Sequence, residues 1–342
     1  MPPPEFESPP VDPAAIARAV EVLKRGGLVA LPTETVYGLA ADATNDAAVR
    51  AIFAAKGRPA DHPVIVHIAD AAALEDWSRE APPAAHSLAQ AFWPGPLTLV
   101  LKRGARVSDW ITGGQDTVGL RAPGHPWAQA VLRGLGRPLA APSANRFGRV
   151  SPTTAEHVRA DLGVKPGGAV DLILDGGACP VGIESTIVDL TGRRPRLLRH
   201  GSIARSEIER VLNVKVESAD PTAPRVSGSL ERHYAPATPL AIVPAEALNE
   251  WLAARRDRNV AVLAPAAVIE AWPKDGQLSL ALPASQEADD YARSLYADLR
   301  RLDAAGAEWI CVVMPPAGER WLPIHDRLRR AQAGSCPVDA EG

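Results

Sequence analysis

Apolar and polar positions along this chain predict a succession of strands and helices. Short apolar runs bounded by turn residues are typical of buried strands, whereas apolar residues three and four positions apart are typical of helices. The first helix is indicated by a capping Asp12, by Pro13 in the first turn and by apolar residues at helical spacing from Ile16 onward. The further predicted strands are 28–31, 64–68, 117–121, 171–174, 185–190 and 196–199, with helices at 46–56, 125–135, 153–162 and 203–212. Residues 94–102 are predicted to form a turn followed by a strand, and residues 138–145 a strand that runs into a polar loop.

Several of these strands are joined by connections too short for a crossover helix, which predicts a mixed rather than an all-parallel sheet. Residues 213–239 lack apolar periodicity and are rich in proline, so they are predicted to form a linker. Beyond them the alternation of strands and helices is typical of a small Rossmann-like α/β domain. Its predicted strands are 240–243, 260–263, 278–282 and 309–314, and its predicted helices are 245–256, 286–304 and 319–332.

Length and composition fit this division. A chain of 342 residues exceeds one typical core, so two domains are expected. A net charge of -3 argues against a protein that mainly coats nucleic acid, although a local basic cleft is still possible. The three cysteines are too far apart in sequence to form a disulfide framework or a zinc knuckle, which favours a reducing compartment. The Pro-rich residues 1–11 lack the features of a signal peptide and are predicted to be a disordered tail.

Candidate chemistry is concentrated in residues 32–67. Thr33, Glu34, Thr35 and Tyr37 follow the first strand, while the next helix ends on the sequence KGRP (56–59). His67 enters the following strand on the face opposite the more continuous apolar row. Threonine, lysine, arginine and histidine side chains at two strand ends and a helix terminus suggest a cleft that handles phosphate.

Each of these groups also has an ordinary structural interpretation. No GxxxxGK[ST] motif is present, so a nucleotide would be held by scattered side chains. Ser143 and Asn145 follow a strand where α/β folds bind ligands, but such a sequence is equally typical of a turn. Arg121 is suited to a carboxylate or is a surface residue at a strand end. Ser185 and Thr186 alternate, so only one of them can face a cleft. The chain contains neither HExxH nor GxSxG, which disfavours a zinc site and a serine nucleophile.

Taken together, six segments resemble the threonylcarbamoyl-AMP synthase family in unbroken order. They are PTETVYGLAADA, KGRPADHPVIVHI, FWPGPLTLVLK, TVGLRAPGHP, PLAAPSAN and GIESTIVDL. The HYAP sequence (233–236) and the C-terminal domain resemble the long, two-domain form of the family. The resemblance implies a YrdC-like twisted sheet of mixed parallel and antiparallel strands around a positively charged concavity. It assigns 12–212 to the catalytic domain, 213–239 to a linker or lid and 240–334 to the Rossmann-like domain.

The resemblance also implies an activity. The family makes L-threonylcarbamoyladenylate from L-threonine, bicarbonate or CO2, and ATP, as the first step of tRNA threonylcarbamoyladenosine modification. A cytoplasmic enzyme is therefore expected, with Mg²⁺ on the ATP phosphates, no metal held by the protein alone and no membrane association. Its product would pass to downstream tRNA threonylcarbamoyl-transfer proteins, and direct binding of tRNA is left open.

Site residues are implied by the same resemblance. A basic and polar tetrad around the nucleotide phosphates comprises Lys56, Arg58, Ser143 and Asn145. L-Threonine would be bound by Thr35, His67, Arg121 and Ser185. The ATP site would add His62, Thr117, Ala141, Ser151, Arg199 and Tyr234, with Ala141 offering only backbone groups or shape. Tyr234 lies on the linker, so the linker is expected to close as a lid; no general base is evident.

Two other functions fit parts of the sequence. A module that binds double-stranded RNA in the concavity is one alternative, although the net charge of -3 weakens it. A carbamoyl transferase of the hydrogenase-maturation type is the other, but this chain lacks the paired CxxC motifs and the acylphosphatase region of that family.

Overall fold

The computed structural model describes residues 8–271 and 278–335, and the chain divides into two compact units. The first unit comprises the chain up to residue 147 and residues 151–229, and the second comprises 148–150 and the chain from residue 230. The division at 229/230 falls inside the predicted linker. Residues 1–7 of the predicted tail lie outside the described residues. The indole Nε1 of Trp127 donates to the backbone oxygen of Pro9 at 3.0 Å. The end of the predicted tail is therefore bound to the first unit.

The first unit is built on a mixed sheet of ten strands in the order β10-β9-β8-β4-β5-β3-β6-β2-β1-β7. These strands are β1 (Val29–Leu31), β2 (Gly38–Asp42), β3 (Val66–His67), β4 (Leu97–Lys102), β5 (Thr117–Arg121), β6 (Leu139–Ala140), β7 (Leu172–Ile173), β8 (Thr186–Asp189), β9 (Arg196–Arg199) and β10 (Glu217–Ser218). Pairs such as β3/β5 and β4/β8 are parallel, whereas β1/β2, β4/β5 and β8/β9 are antiparallel. The predicted mixed sheet is confirmed.

Helices cover both faces of this sheet. They are α1 (Pro13–Lys24), α2 (Asp46–Lys56), α3 (Leu74–Trp77), α4 (Pro83–Phe92), α5 (Asp109–Thr112), α6 (Pro126–Leu135), α7 (Ala155–Leu162) and α8 (Arg205–Leu212). Leu28 and Ala30 belong to one apolar cluster, and their neighbours Val29 and Leu31 belong to a second cluster with α1 and α6. Since alternate residues of a strand face opposite sides, the sheet has a packed core on each side.

Strand β2 was not predicted from the sequence. It pairs with β1 in antiparallel register, with Ala30 opposite Leu39, and all five of its residues are buried. A strand buried on both faces shows no apolar–polar alternation, and this one directly follows a polar loop. Residues 32–37 therefore form the loop of a β1–β2 hairpin, which fixes both ends of the PTET segment.

The second unit is a parallel sheet of four strands in the order β11-β14-β12-β13. Its strands are β11 (Leu240–Val243), β12 (Val260–Ala264), β13 (Leu278–Pro283) and β14 (Trp309–Val313), and its helices are α9 (Leu248–Ala253), α10 (Ala266–Glu270), α11 (Ala288–Asp303) and α12 (Leu322–Ser335). All three strand pairings are parallel, which confirms the predicted Rossmann-like arrangement. Among the described helices, none is long and apolar enough to cross a membrane.

Candidate active site

The hairpin loop between β1 and β2 is held by the hydroxyl of Thr33. This hydroxyl donates to the backbone oxygen of Val36 at 2.6 Å and accepts from the N–H groups of Thr35 and Val36, each at 3.2 Å. The hydroxyl oxygens of Thr33 and Thr35 lie 2.9 Å apart. Because a hydroxyl has one hydrogen and Thr33 uses it on Val36, Thr35 donates in this pair. The Thr35 oxygen keeps its lone pairs for a further donor.

That further donor is Arg121, at the end of β5. Its Nη1 donates to the Thr35 hydroxyl at 3.0 Å, and its Nε donates to the backbone oxygen of Gly95 at 3.2 Å. Its Nη2 lies 2.8 Å from Oε1 of Glu34, and the side chains of Arg121 and Glu34 are 4% and 10% exposed. The alternative that Arg121 is a surface residue is therefore wrong, and the guanidinium has a fixed orientation.

His67 lies beside Arg121. The parallel pairing of β3 with β5 places the two residues in register, and both are buried. Burial, with the nearby Arg121 guanidinium, lowers the pKa of His67 to about 3. The imidazole is therefore neutral near pH 7, and within the described residues its Nε2 has no hydrogen-bond partner.

Ser185 and Arg199 form a third part of the site. The Ser185 hydroxyl lies 2.8 Å from the hydroxyl of Thr98 and accepts from Nη2 of Arg199 at 3.0 Å. Arg199 Nε also donates to the backbone oxygen of Ser185 at 3.0 Å. Thr186 instead donates its hydroxyl to the backbone oxygen of Ile203. Ser185 and Thr186 thus contact different neighbours, as their alternation predicted.

The predicted tetrad is brought together around Lys56. This residue ends α2, which is capped by Gly57 in the left-handed conformation at φ 63°. The buried Nζ of Lys56 donates to the backbone oxygens of Ser143 and Asn145, each at 2.5 Å. Burial lowers the pKa of Lys56 well below its usual value, and neighbouring Arg58 lowers it further. A polyanionic ligand would favour the charged form.

Arg58 and His62 share an aromatic neighbour. Nη2 of Arg58 donates to the backbone oxygen of Pro63 at 2.8 Å, and its guanidinium lies 5.6 Å from the centroid of the Phe147 ring. The His62 ring packs against the same Phe147 ring, with centroids 5.3 Å apart. Burial, and then the Arg58 charge, lower the pKa of His62. A neutral His62 has no charge that attracts an anion, so Arg58 is the cation of this pair.

The remaining residues predicted for the ATP site in the first unit differ in what they offer. Thr117 begins β5 and helps to line a small cavity together with Ile65 and Thr98. The N–H of Ala141 is used in a 3.1 Å bond to the backbone oxygen of Ile65, so this residue offers its carbonyl and its shape. The Ser151 hydroxyl donates to Oε1 of Glu184 at 2.6 Å, and both residues are buried.

Tyr234 is the one predicted site residue that belongs to the second unit. It is 1% exposed and has a φ of 59°. Its ring is stacked on that of Tyr296, with centroids 5.6 Å apart, and the guanidinium of Arg327 lies 5.4 Å from its centroid. The predicted role of Tyr234 at the nucleotide stays a prediction.

A segment in the middle of the predicted linker belongs to the first unit. We call residues 225–229 the strap. Gln115 binds the strap twice, by accepting from the N–H of Arg225 at 2.8 Å and donating to its backbone oxygen at 3.1 Å. The Ser227 hydroxyl donates to the backbone oxygen of Pro63 at 2.9 Å, and Arg199 Nη1 donates to the backbone oxygen of Ser227 at 2.8 Å. Val226 and Ser227 line the same cavity as Thr117.

Two buried carboxylates in this region, Glu34 and Glu184, were not predicted as site residues. Glu34 stands between the two threonines of PTET, and Glu184 directly precedes Ser185 in GIEST. Their positions inside these motifs are the feature of the sequence that could have identified them as site residues. Arg121 with neutral His67 suits a small carboxylate-bearing ligand, whereas Lys56 with Arg58 suits a phosphate chain.

Comparisons with known proteins show the family of this chain. A family model described as "Telomere recombination" matches residues 21–201, and one described as "Threonylcarbamoyl-AMP synthase, C-terminal domain" matches residues 203–333. The chain is 39% identical to the threonylcarbamoyl-AMP synthase of Pyrococcus abyssi, covering 92% of each chain. It is 40% identical to that of Bacillus subtilis, covering 93% of each. The crystal structure of P. abyssi Sua5 complexed with L-threonine is similar, with a TM-score of 0.87, 36% identity and 96% of each chain covered.

Proposed function

The chain belongs to the threonylcarbamoyl-AMP synthase family, and we propose that it joins L-threonine, CO2 or bicarbonate, and ATP into threonylcarbamoyl-AMP and pyrophosphate. The observation that carries this proposal is the presence of two different polar sites in one compact unit. Arg121 and neutral His67 form one, and Lys56 with Arg58 forms the other. An amino acid and a nucleotide triphosphate are the two ligands that such a pair of sites fits.

L-Threonine would bind at Arg121. After its bonds to Gly95 and Thr35, the guanidinium has one further N–H group on Nη1 and two on Nη2, which lies 2.8 Å from Oε1 of Glu34. A carboxylate accepts well from such a planar fork. The unpartnered Nε2 of His67 would add a neutral acceptor or donor for the hydroxyl or amino group of threonine. Thr35 and Ser185 would supply hydroxyls to the same ligand.

ATP would bind with its phosphates near Lys56 and Arg58. Ser143 and Asn145, whose carbonyls hold Lys56, would complete this phosphate site. Thr117, Ala141, His62, Ser151 and Arg199 would surround the nucleotide, and the role of Tyr234 there rests on the resemblance to the family. The charges and hydrogen-bonding groups of these side chains are consistent with such roles.

The reaction needs charge stabilisation and alignment rather than a covalent nucleophile. The threonine ammonium first loses a proton to solvent; the free amine then adds to CO2 and releases a second proton to solvent as the carbamate forms. An oxygen of the carbamate attacks the α-phosphorus while the bond to pyrophosphate breaks. Lys56 and Arg58 would stabilise charge developing on the phosphates, and fixed Arg121 would hold the amino acid in line. The described residues contain no cluster of three or more histidine, cysteine or acidic side chains suited to a metal. Mg²⁺ would therefore arrive on the triphosphate, where it neutralises charge.

The strap is the segment that would close over the cleft. It is held by Gln115, Pro63 and Arg199, and it contributes Val226 and Ser227 to the cavity beside Thr117. Exclusion of water would protect a labile carbamoyl-adenylate from hydrolysis. The product would then pass to tRNA threonylcarbamoyl-transfer proteins in the cytoplasm.

The test is pyrophosphate release from ATP and Mg²⁺, with L-threonine and bicarbonate each omitted in turn. Release that requires both supports the proposal. ATP turnover that is indifferent to threonine would contradict it, as would the absence of turnover with every substrate present. Binding of plain duplex RNA without this activity would favour the RNA-binding alternative.

A further inference from the structure

Glu34 is a buried carboxylate that pairs with Arg121 but makes no aligned hydrogen bond to any other described residue. Its side chain is 10% exposed and its Oε1 lies 2.8 Å from Nη2 of Arg121. Nevertheless, within the described residues neither Glu34 carboxylate oxygen, nor Nη2 of Arg121, has an aligned hydrogen bond. Buried polar groups are almost always satisfied, and clusters that are not indicate the place of a ligand.

The ionisable groups around this pair are neutral. Burial, with Arg121 nearby, lowers the pKa of His67. Burial also lowers the pKa of His125, with Glu34 opposing this effect, and burial together with Glu34 raises the pKa of Cys179. Arg121 is therefore the cation that faces the Glu34 carboxylate.

We propose that Glu34 makes this site selective for a zwitterion, with its carboxylate receiving the ammonium group of the amino acid while Arg121 receives the carboxylate. This inference rests on the proposed function and adds a specificity-determining residue to it. A zwitterion leaves the charge balance of the pair intact, whereas an acid without an amino group adds one uncompensated negative charge beside Glu34. The loop geometry fixed by Thr33 keeps Glu34 next to Thr35, which itself contacts Arg121.

The experiment compares binding of L-threonine with binding of its hydroxy-acid analogue, (2S,3R)-2,3-dihydroxybutanoate, by calorimetric titration of the full chain. Glu34→Gln keeps the size and the acceptor oxygen but removes the charge. We expect it to weaken threonine about tenfold or more, as for loss of a charge-assisted contact, and to leave the hydroxy acid unchanged or bound more tightly. The ratio of the two dissociation constants is the readout.

Two variants make this ratio decisive. Glu34→Asp keeps the charge and should preserve the preference for threonine even if both ligands bind more weakly. Glu75→Gln removes the same charge at an exposed position, where Glu75 pairs with His86 at 3.3 Å, and should change neither affinity. If Glu34→Gln weakens both ligands equally, Glu34 only supports the fold and the inference is overturned. If the unaltered protein does not bind threonine, the proposed function itself fails.

Discussion

His67 and Arg121 are register partners on neighbouring parallel strands, so a buried imidazole and a buried guanidinium lie side by side. The pairing of β3 with β5 thus determines what the site can offer. One residue supplies a fixed positive charge, and that charge, added to burial, keeps the other neutral. Substitutions at either position have distinct and measurable consequences.

Arg121→Ala is expected to raise the KM for L-threonine far more than the KM for ATP. Loss of a bidentate, charge-assisted contact corresponds to about 3 kcal/mol, or roughly 100-fold, on threonine alone. Steady-state kinetics with each substrate varied in turn measure the difference. Equal effects on both constants would argue against a role at the carboxylate.

Arg121→Lys is the matched control, because alanine also leaves Glu34 buried without its counter-ion. Lysine keeps the charge but cannot reproduce the fork that contacts Gly95 and Thr35. We expect it to fold more stably than the alanine variant and still to bind threonine weakly.

Lys56→Met should reduce threonine-dependent pyrophosphate release by about 100-fold or more, since it removes a cation from the phosphates. It also removes the bonds that Nζ of Lys56 donates to the carbonyl oxygens of Ser143 and Asn145. The free energy of unfolding should fall by about 1–3 kcal/mol for each oxygen that no water reaches. Urea unfolding and the pyrophosphate assay separate the two effects; full activity would exclude Lys56 from the phosphate site.

Gln115→Ala should loosen the strap. Both bonds between Gln115 and the backbone of Arg225 would be lost, whereas the bonds of Ser227 to Pro63 and Arg199 would persist. Hydrogen exchange of the Arg225 amide is expected to become about tenfold faster or more, with amides of α6 as the internal control. Unchanged exchange at Arg225 would show that Gln115 does not hold the strap.

Much of this architecture follows from sequence patterns, and the exceptions have physical reasons. The spacing of apolar residues predicted β9 and α2 with their observed bounds. Strand β2 was not predicted because GLAAD is buried on both faces and shows no alternation of apolar and polar residues. Glu34 was not assigned to the site because the sequence does not reveal that its carboxylate turns inward to Arg121. The two residues are 87 positions apart in the chain. Such a contact exists only once β1 and β5 share a sheet.

If Tyr234 is part of a lid, as its place in the predicted linker suggests, Tyr234→Ala should lower turnover. Because the Tyr234 ring is buried against Tyr296 and Arg327, we also expect truncation to lower the stability of the second unit by about 3–5 kcal/mol. Tyr234→Phe keeps the ring stack, so a turnover defect in this variant reports on the hydroxyl. Unaltered urea unfolding of the alanine variant would contradict the packing, and unaltered kinetics of both variants would argue against a lid role.

His67 should make the protein less stable in acid in a predictable range of pH. Its pKa is about 3 when folded and about 6.5 when unfolded, so between these values the unfolded chain binds more protons. Stability therefore falls as the pH drops through this range, and His67 contributes a loss of about 2 kcal/mol at about pH 5.

The measurement is the free energy of urea unfolding at about pH 7.5 and about pH 5, for the unaltered protein and for His67→Gln. Glutamine does not titrate, so the decrease between the two pH values should be smaller by about 2 kcal/mol in the variant. The acidic groups common to both proteins cancel in this comparison. An equal decrease in both proteins would mean that His67 is protonated in the folded state. The conclusion that the imidazole beside Arg121 is neutral would then be wrong.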